Sequence, residues 1–357
     1  MVSFDGLGKG GAQSIMMNCV RNMSNSYLFD VLLFTNEVRY YEKEFLSFGG
    51  RIIRIPHYCG KNKLKKKLDY YLRGPRLFFN LRKVIKENGP YQVIHCHNGY
   101  ESALCLFAAK QEKIPIRICH SHTSKPKSNF LATFLNFFYT CLINKSSSHK
   151  IGCSESACKA LYGNSDFVVL NNPYDESKYI FNDNKQINDV LTLIQVGSFN
   201  DNKNQLFSIE ILKSLYKKKS DVFLNLVGFG NEKYVRNIKE KVAEFNLEKN
   251  VRFLDGNTAD IPQLLSSSTF FLFPSKKEGF GITLIEAQAM GLTCFVSDSV
   301  PKTTNVGGCI YLSLNDGPEK WASEILKTPY QRKKYDCTQF KSSEFVKQIA
   351  LLYGGEK

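Results

Sequence analysis

Glu278 and Glu286, separated by seven residues, flank a glycine-bearing loop, Glu278-Gly279-Phe280-Gly281. The loop follows an apolar run, Phe270 to Phe273, and the dipeptide Pro274-Ser275, and it leads into a stretch from Ile282 to Gly291 that reads as a helix. A helix starting at Ile282 turns its free N–H groups and positive dipole end toward the loop, which suits a diphosphate. The glycines let backbone approach a ligand closely. Glu278 lies before the helix and Glu286 about one turn inside it, so both can reach one bound molecule. Carboxylates accept hydrogen bonds from sugar hydroxyls without acting as nucleophiles. Spacing alone would make two exposed glutamates the simpler reading; the whole strand, loop and helix string gives the pair its meaning.

Further candidates are histidines and glycines in the first half. In Tyr91-Gln-Val-Ile-His-Cys-His97 the period of two puts His95 and His97 on one side of a strand and Cys96 on the other. Cys119-His120-Ser121-His122 ends the next strand. Neither cluster has the paired spacing of a structural zinc site, so no metal is expected. Gly6, Gly8 and Gly11 satisfy G-x-G-x-x-G, with Glu37 after the following strand as a candidate ribose-binding acid. That signal is weak, because only Val2-Ser3-Phe4 is available as the preceding strand, where five or six residues are usual. The first strand reads as clipped or as beginning upstream.

The elements that must position these residues are legible as alternating β-rich runs and amphipathic stretches, the pattern of parallel βαβ units. Strands are expected at Val31–Thr35, Arg51–Ile55, Val93–His97, Ile116–His120, His149–Cys153 and Phe167–Leu170. A second series covers Leu191–Val196, Phe223–Val227, Val251–Leu254, Phe270–Phe273, Thr293–Val296 and Ile310–Leu312. A polar, turn-rich stretch from Asp175 to Asp189 separates them. The expected fold is α/β, with two Rossmann-like doubly wound domains facing a central cleft. At 357 residues the chain exceeds what one core usually supports.

Composition narrows the partners. Hydrophobic residues make up 43% and charged residues 23%, values of a globular protein. The formal charge of +15 favours anionic partners. Part of the excess lies in Lys61 to Arg76, where seven basic residues and one acidic are interleaved with Leu and Tyr, as in segments that lie on anionic membranes. An odd count of 11 cysteines at irregular spacing argues against a disulfide framework and for a reducing cytoplasm. No apolar run approaches the roughly 18 residues of a transmembrane helix, so membrane contact would be peripheral, on the inner face.

The segment from Phe270 to Gly291 resembles the retaining nucleotide-sugar glycosyltransferases of the two-domain B type, glycosyltransferase family 4. The resemblance implies that Glu278 contacts the donor sugar, that Glu286 contacts the nucleotide ribose, and that the backbone of Gly279, Phe280, Gly281, Ile282 and Thr283 lies against the sugar and diphosphate. Gln195 to Asn204 is similar to the strand and loop that bind the diphosphate: Lys203 matches the family lysine, whereas Ser198 stands where the family commonly has arginine. Gly10 and Gly11 match the glycine loop of the first domain, and His97, with His95 as the fallback, matches the histidine that touches the donor sugar. Lys203, His97 and Glu278 are thus the implied catalytic set.

The resemblance implies transfer with retention from a nucleoside diphosphate sugar, UDP-sugars first, as co-substrate and without a cofactor. No carboxylate is placed for a covalent intermediate, and Lys203 with the Thr283 helix end would stabilise the leaving diphosphate. Residues 1–174 are expected to form the acceptor-side domain and 175–339 the donor-binding domain, with 340–357 packing back on the first. The acceptor is expected to be a lipid-linked saccharide of capsule or exopolysaccharide assembly. Alternatives are an epimerase of the same fold and a non-catalytic nucleotide-sugar-binding protein; nucleic acid rests on charge alone and is not expected as a partner.

Overall fold

A computed structural model describes residues 1–3, 6–8, 10–55, 77–122, 130–183 and 190–355. The basic stretch from Lys61 to Arg76 lies outside the described residues. The chain divides into two compact units, Met1–Pro173 with Ser342–Lys357, and Tyr174–Lys341.

Among the described residues the first unit holds seven parallel strands: β1 (Val2–Ser3), β2 (Asp30–Leu33), β3 (Arg51–Arg54), β4 (Val93–Cys96), β5 (Ile116–Ser121), β6 (His149–Gly152) and β7 (Val168–Val169). Their spatial order is β3-β2-β1-β4-β5-β6-β7. The short β1 is a central strand: Val2 pairs with Leu32 on one side and Cys96 on the other. The second unit carries β8 (Leu191–Val196), β9 (Val222–Gly228), β10 (Val251–Asp255), β11 (Phe270–Phe273), β12 (Thr293–Ser297) and β13 (Cys309–Leu312), in the order β10-β9-β8-β11-β12-β13. Both orders reverse beside their first strand, as in doubly wound folds.

The apolar runs that announce these strands follow from burial on both faces. All four residues of β11 are buried; Phe270 and Leu272 pack with Trp321 and Leu212 on one face, Phe271 and Phe273 with Leu284 and Met290 on the other. Arg332 staples that second layer, donating to the carbonyls of Met290, Leu265, Ser266 and Ser268 at 2.7 to 2.9 Å. Among the described residues no helix is long and apolar enough to cross a membrane, and the described cysteines are all unbridged.

The C-terminal helix Ser342–Leu352 belongs to the first unit. Phe345, Ile349 and Tyr353 enter one cluster with Ile15, Met16, Cys19 and Val20 of the helix Gly11–Met23. Ile349 is fully buried there. Ile349→Ala should cost about 2–5 kcal/mol in the unfolding of the first unit, read as an earlier urea transition, whereas Leu351→Ala, at an exposed position, should change it by less than about 0.5 kcal/mol.

Candidate functional site

In the second unit the strand order reverses between β8 and β11, and ligands of open α/β sheets bind beyond the carboxyl ends of strands at such a point. The loop after β8 carries Ser198 and Lys203; the loop after β11 carries Glu278, Gly279, Phe280 and Gly281. The sheet order therefore brings together two segments about 75 residues apart. They are sewn by hydrogen bonds: Lys276 N donates to the Asn202 carbonyl at 2.8 Å, Asn202 Nδ2 to the Lys277 carbonyl at 2.6 Å, and Asn204 Nδ2 to the Pro274 carbonyl at 3.2 Å.

At the join, Lys203 Nζ donates to Glu278 Oε1 at 2.6 Å. The ammonium also lies 4.9 Å from the centre of the Phe273 ring, over its negative face. Both side chains are largely shielded from solvent, 20% and 11% exposed, so each neutralises a charge that would otherwise be desolvated alone. The lysine loop is held from below: Gln195 Nε2 donates to the Lys203 carbonyl at 2.7 Å, and Ser208 Oγ donates to Gln195 Oε1 at 2.7 Å. Ser198 is exposed and its carbonyl accepts from Gln205 Nε2; its hydroxyl supplies no cation where the family resemblance puts an arginine.

Gly281 caps the helix Ile282–Ala289 at φ +93, a conformation that side-chain-bearing residues rarely adopt, and no side chain caps this helix. Elsewhere in the chain Ser154, Asn231 and Asp260 do cap their helices. Among the described residues no side chain takes up the first N–H groups, at Ile282 and Thr283, at the end of β11. The Phe280 side chain is buried and packs edge-to-face with Phe340, centroids 6.0 Å and planes 70° apart. Glu286 is hydrogen-bonded to the Tyr179 hydroxyl, with Lys178 and Asp175 nearby, and burial pushes its carboxyl up to about 7 against the pull of that hydrogen bond. Tyr179 was missed in the sequence because it lies in the turn-rich stretch; its signal is the short apolar run Tyr179-Ile180-Phe181 among polar residues.

The first unit repeats the arrangement. Gly10 caps the helix Gly11–Met23 at the carboxyl end of β1, again without a side-chain cap. An added Cβ on Gly11 would meet nothing within 4 Å, so its backbone is open to approach. Glu37 is exposed and ion-paired with Arg39, a surface role.

At the ends of the neighbouring strands β4 and β5, the structure gathers His95, His97, His120 and His122 into one cluster. Cys96 and Cys119 instead enter the apolar layer on the other side of the sheet. His95 Nδ1 bonds the Tyr353 hydroxyl at 2.9 Å and its Nε2 meets His120 Nδ1 at 3.3 Å; His97 Nδ1 meets His122 Nε2 at 3.0 Å. Burial, and the repulsion each ring would feel from charge on its neighbours, holds His95, His97 and His120 well below the ordinary imidazole range, and burial lowers His122 to about 4. The rings are therefore neutral near pH 7.

The spacing within each strand does not show this gathering, which the pairing of β4 with β5 produces. One nitrogen from each of His95, His97 and His120 lies within 4.8 Å of the others. Tetrahedral zinc, with Zn–N about 2.0–2.1 Å, needs about 3.4 Å between nitrogens. His95 and His97 are also stacked, centroids 4.1 Å apart and planes 27° apart, so their in-plane lone pairs do not converge on a point.

The sequence pattern of the glycosyl transferases group 1 matches residues 176–306. Among curated proteins, this chain is 30% identical to the glycosyltransferase EpsF of Bacillus subtilis over 90% of this chain and 85% of the relative. It is 27% identical to the capsular polysaccharide biosynthesis glycosyltransferase CapH of Staphylococcus aureus, covering 93% and 90%. It is 25% identical to the UDP-Gal:alpha-D-GlcNAc-diphosphoundecaprenol alpha-1,3-galactosyltransferase of Escherichia coli, covering 77% and 72%. Its fold is that of HepE from Anabaena, crystallised with UDP, at a TM-score of 0.77 and 16% identity over 99% and 98% of the two chains. The lipopolysaccharide glycosyltransferase WaaG aligns at a TM-score of 0.58 and 15% identity over 96% and 90%. The architecture is the α/β fold of the B-type glycosyltransferases, and the chain belongs to the group 1 glycosyl transferases.

Proposed function

We propose that this glycosyltransferase is a retaining enzyme of glycosyltransferase family 4 that moves a sugar from a nucleoside diphosphate sugar, UDP-sugars first, to a hydroxyl of a lipid-linked saccharide in capsule or exopolysaccharide assembly. The observation that carries it is the meeting of Lys203, Glu278 and the uncapped helix Ile282–Ala289 at the reversal of strand order in the second unit. One ammonium proton of Lys203 engages Glu278, which leaves two for diphosphate oxygens. Thr283 and Ile282 offer backbone N–H groups to the same oxygens, Glu278 accepts from the donor sugar, and Glu286 accepts from the ribose. Within the first unit, Gly10 and Gly11 open the helix after β1 and His97 follows β4, at that sheet's own reversal of strand order.

The reaction breaks the bond from the anomeric carbon to the diphosphate and forms one to the acceptor oxygen on the same face. The acceptor proton passes to the departing diphosphate. Positive charge and N–H dipoles fixed where negative charge develops lower the barrier without a metal. The relatives' printed names, one of them a galactosyltransferase acting on a diphosphoundecaprenol-linked sugar, support the lipid-linked acceptor. So does the helix Phe130–Ser146, which exposes Phe134, Phe137 and Phe138 at helical spacing. Together with Lys61 to Arg76, these suit peripheral contact with an anionic membrane from the cytoplasmic side. The epimerase and non-catalytic readings gain no support from relatives named as transferases.

Lys203→Ala should weaken UDP-glucose binding about tenfold or more by calorimetry, since it removes a charge-assisted bond and leaves Glu278 unpaired; unchanged affinity would refute the donor placement.

The Glu286 carboxyl, raised to about 7, must be ionised to accept both ribose hydroxyls well. Because the ligand prefers the ionised form, affinity for UDP-glucose should fall as pH drops below about 7, by up to roughly tenfold per unit. Proton release on binding should appear in buffers of different ionisation enthalpy. Glu286→Gln should bind more weakly at pH 8 and lose this slope; a slope that persists would assign the titration elsewhere.

A further inference from the structure

Residues 174–183, which open the second unit, run beside the helix Ile282–Ala289. Tyr179 packs against the buried layer that holds Leu284, Ala287 and Met290, and its hydroxyl is hydrogen-bonded to Glu286. Two residues on, the Phe181 ring closes on Gly291: an added Cβ there would come within 2.5 Å of it. The segment is shaped by its own contacts. Tyr174 N donates to the Phe340 carbonyl at 2.8 Å, and the Asp175 carbonyl accepts from Lys178 N and Tyr179 N at 3.1 and 3.2 Å. Asp175 Oδ1 accepts from Ser177 N at 3.2 Å and from Ser177 Oγ at 2.6 Å.

A turn held in this way is set without Glu286. The Tyr179 hydroxyl is therefore a fixed point, and the glutamate, among the side chains with the most rotamer freedom to lose, is the partner that it orders. An ionised carboxylate offers about four lone-pair sites on its two oxygens. One is taken by Tyr179, and the two neighbouring hydroxyls of a ribose can use others. Among the described residues the charged groups around the pair are Lys178, Asp175 and Asp260, which caps the helix Ile261–Ser267. Lys178 Nζ and Asp175 Oδ2 answer each other at 3.0 Å, so their fields at Glu286 oppose. The tyrosine hydroxyl is the stronger support of the ionised carboxylate.

We propose that Tyr179 is a positioning residue for Glu286: its hydroxyl fixes the carboxylate in the orientation in which it accepts from the ribose hydroxyls of the nucleotide. The inference rests on the placement of Glu286 against the ribose given above. It makes the turn at the start of the second unit part of the nucleotide site.

The test is Tyr179→Phe, which keeps the ring and removes the hydroxyl. Burial already pushes the Glu286 carboxyl up to about 7 against the pull of this bond, so the variant should titrate higher still. Carbon-13 spectra of the side-chain carboxyls in the ligand-free protein read that shift directly. Because the nucleotide prefers the ionised form, UDP affinity in the variant should fall about tenfold at pH 6.5, the worth of about one hydrogen bond to a charged group, and the loss should shrink as pH rises past 9. Affinity for 2',3'-dideoxy-UDP, which lacks both ribose hydroxyls, should be the same in variant and parent. An unmoved Glu286 titration, or an equal loss for the two nucleotides, would overturn the role of Tyr179. So would a Glu286→Gln variant that loses UDP affinity while Tyr179→Phe loses none. If Glu286→Gln leaves UDP affinity unchanged, the placement of Glu286 at the ribose falls and the inference with it.

Discussion

In a sheet of parallel strands the chain leaves every strand at the same edge, and only where the strand order reverses do two successive loops diverge and leave room between them. Here that constraint falls between β8 and β11 in one unit and between β1 and β4 in the other. The residues with the most pronounced chemistry sit at those ends: Lys203 and Glu278 after β8 and β11, Gly10 and His97 after β1 and β4. The all-apolar Phe270–Phe273 strand fixes where the Glu278 loop emerges, and the glycine at 281 turns it into the helix.

The carboxylates of Glu278, in the loop, and Glu286, inside the helix, are held in contrasting surroundings. Glu278 is answered by the Lys203 ammonium at 2.6 Å. Glu286 is half-buried against Tyr179, and desolvation pushes its carboxyl up to about 7, so its strength as an acceptor depends on a proton. Under the proposed donor placement Ser198 offers no cation where the family resemblance implies one, and the diphosphate would be met by Lys203 and by the backbone donors of the uncapped helix, whose partial charge needs no counter-ion.

Much of this was legible in the sequence because buried parallel strands write themselves as apolar runs. Each expected strand has its counterpart, and the loop from Glu278 to Gly281 lies between a strand and a helix start as expected. What the sequence concealed depends on strand order and on distant contacts. His95 and His97 could be placed on one face of a strand, but nothing in the spacing told that His120 and His122 would lie beside them, or that Tyr353, 258 residues away, would bond His95. Tyr179 was hidden likewise, since its contact with Glu286 spans the unit. The basic segment from Lys61 to Arg76, a clear signal in composition, lies outside the described residues.

The central claim is that a nucleotide-sugar diphosphate is held by Lys203 and by the helix that Gly281 opens. Amide hydrogen exchange with and without UDP-glucose tests it most directly, because backbone donors that bind the diphosphate are protected in place. Slowed exchange at Ile282, Thr283 and the loop from Gly197 to Asn204 is the predicted result. Protection confined to other segments, with these amides exchanging as fast as in the free protein, would contradict it.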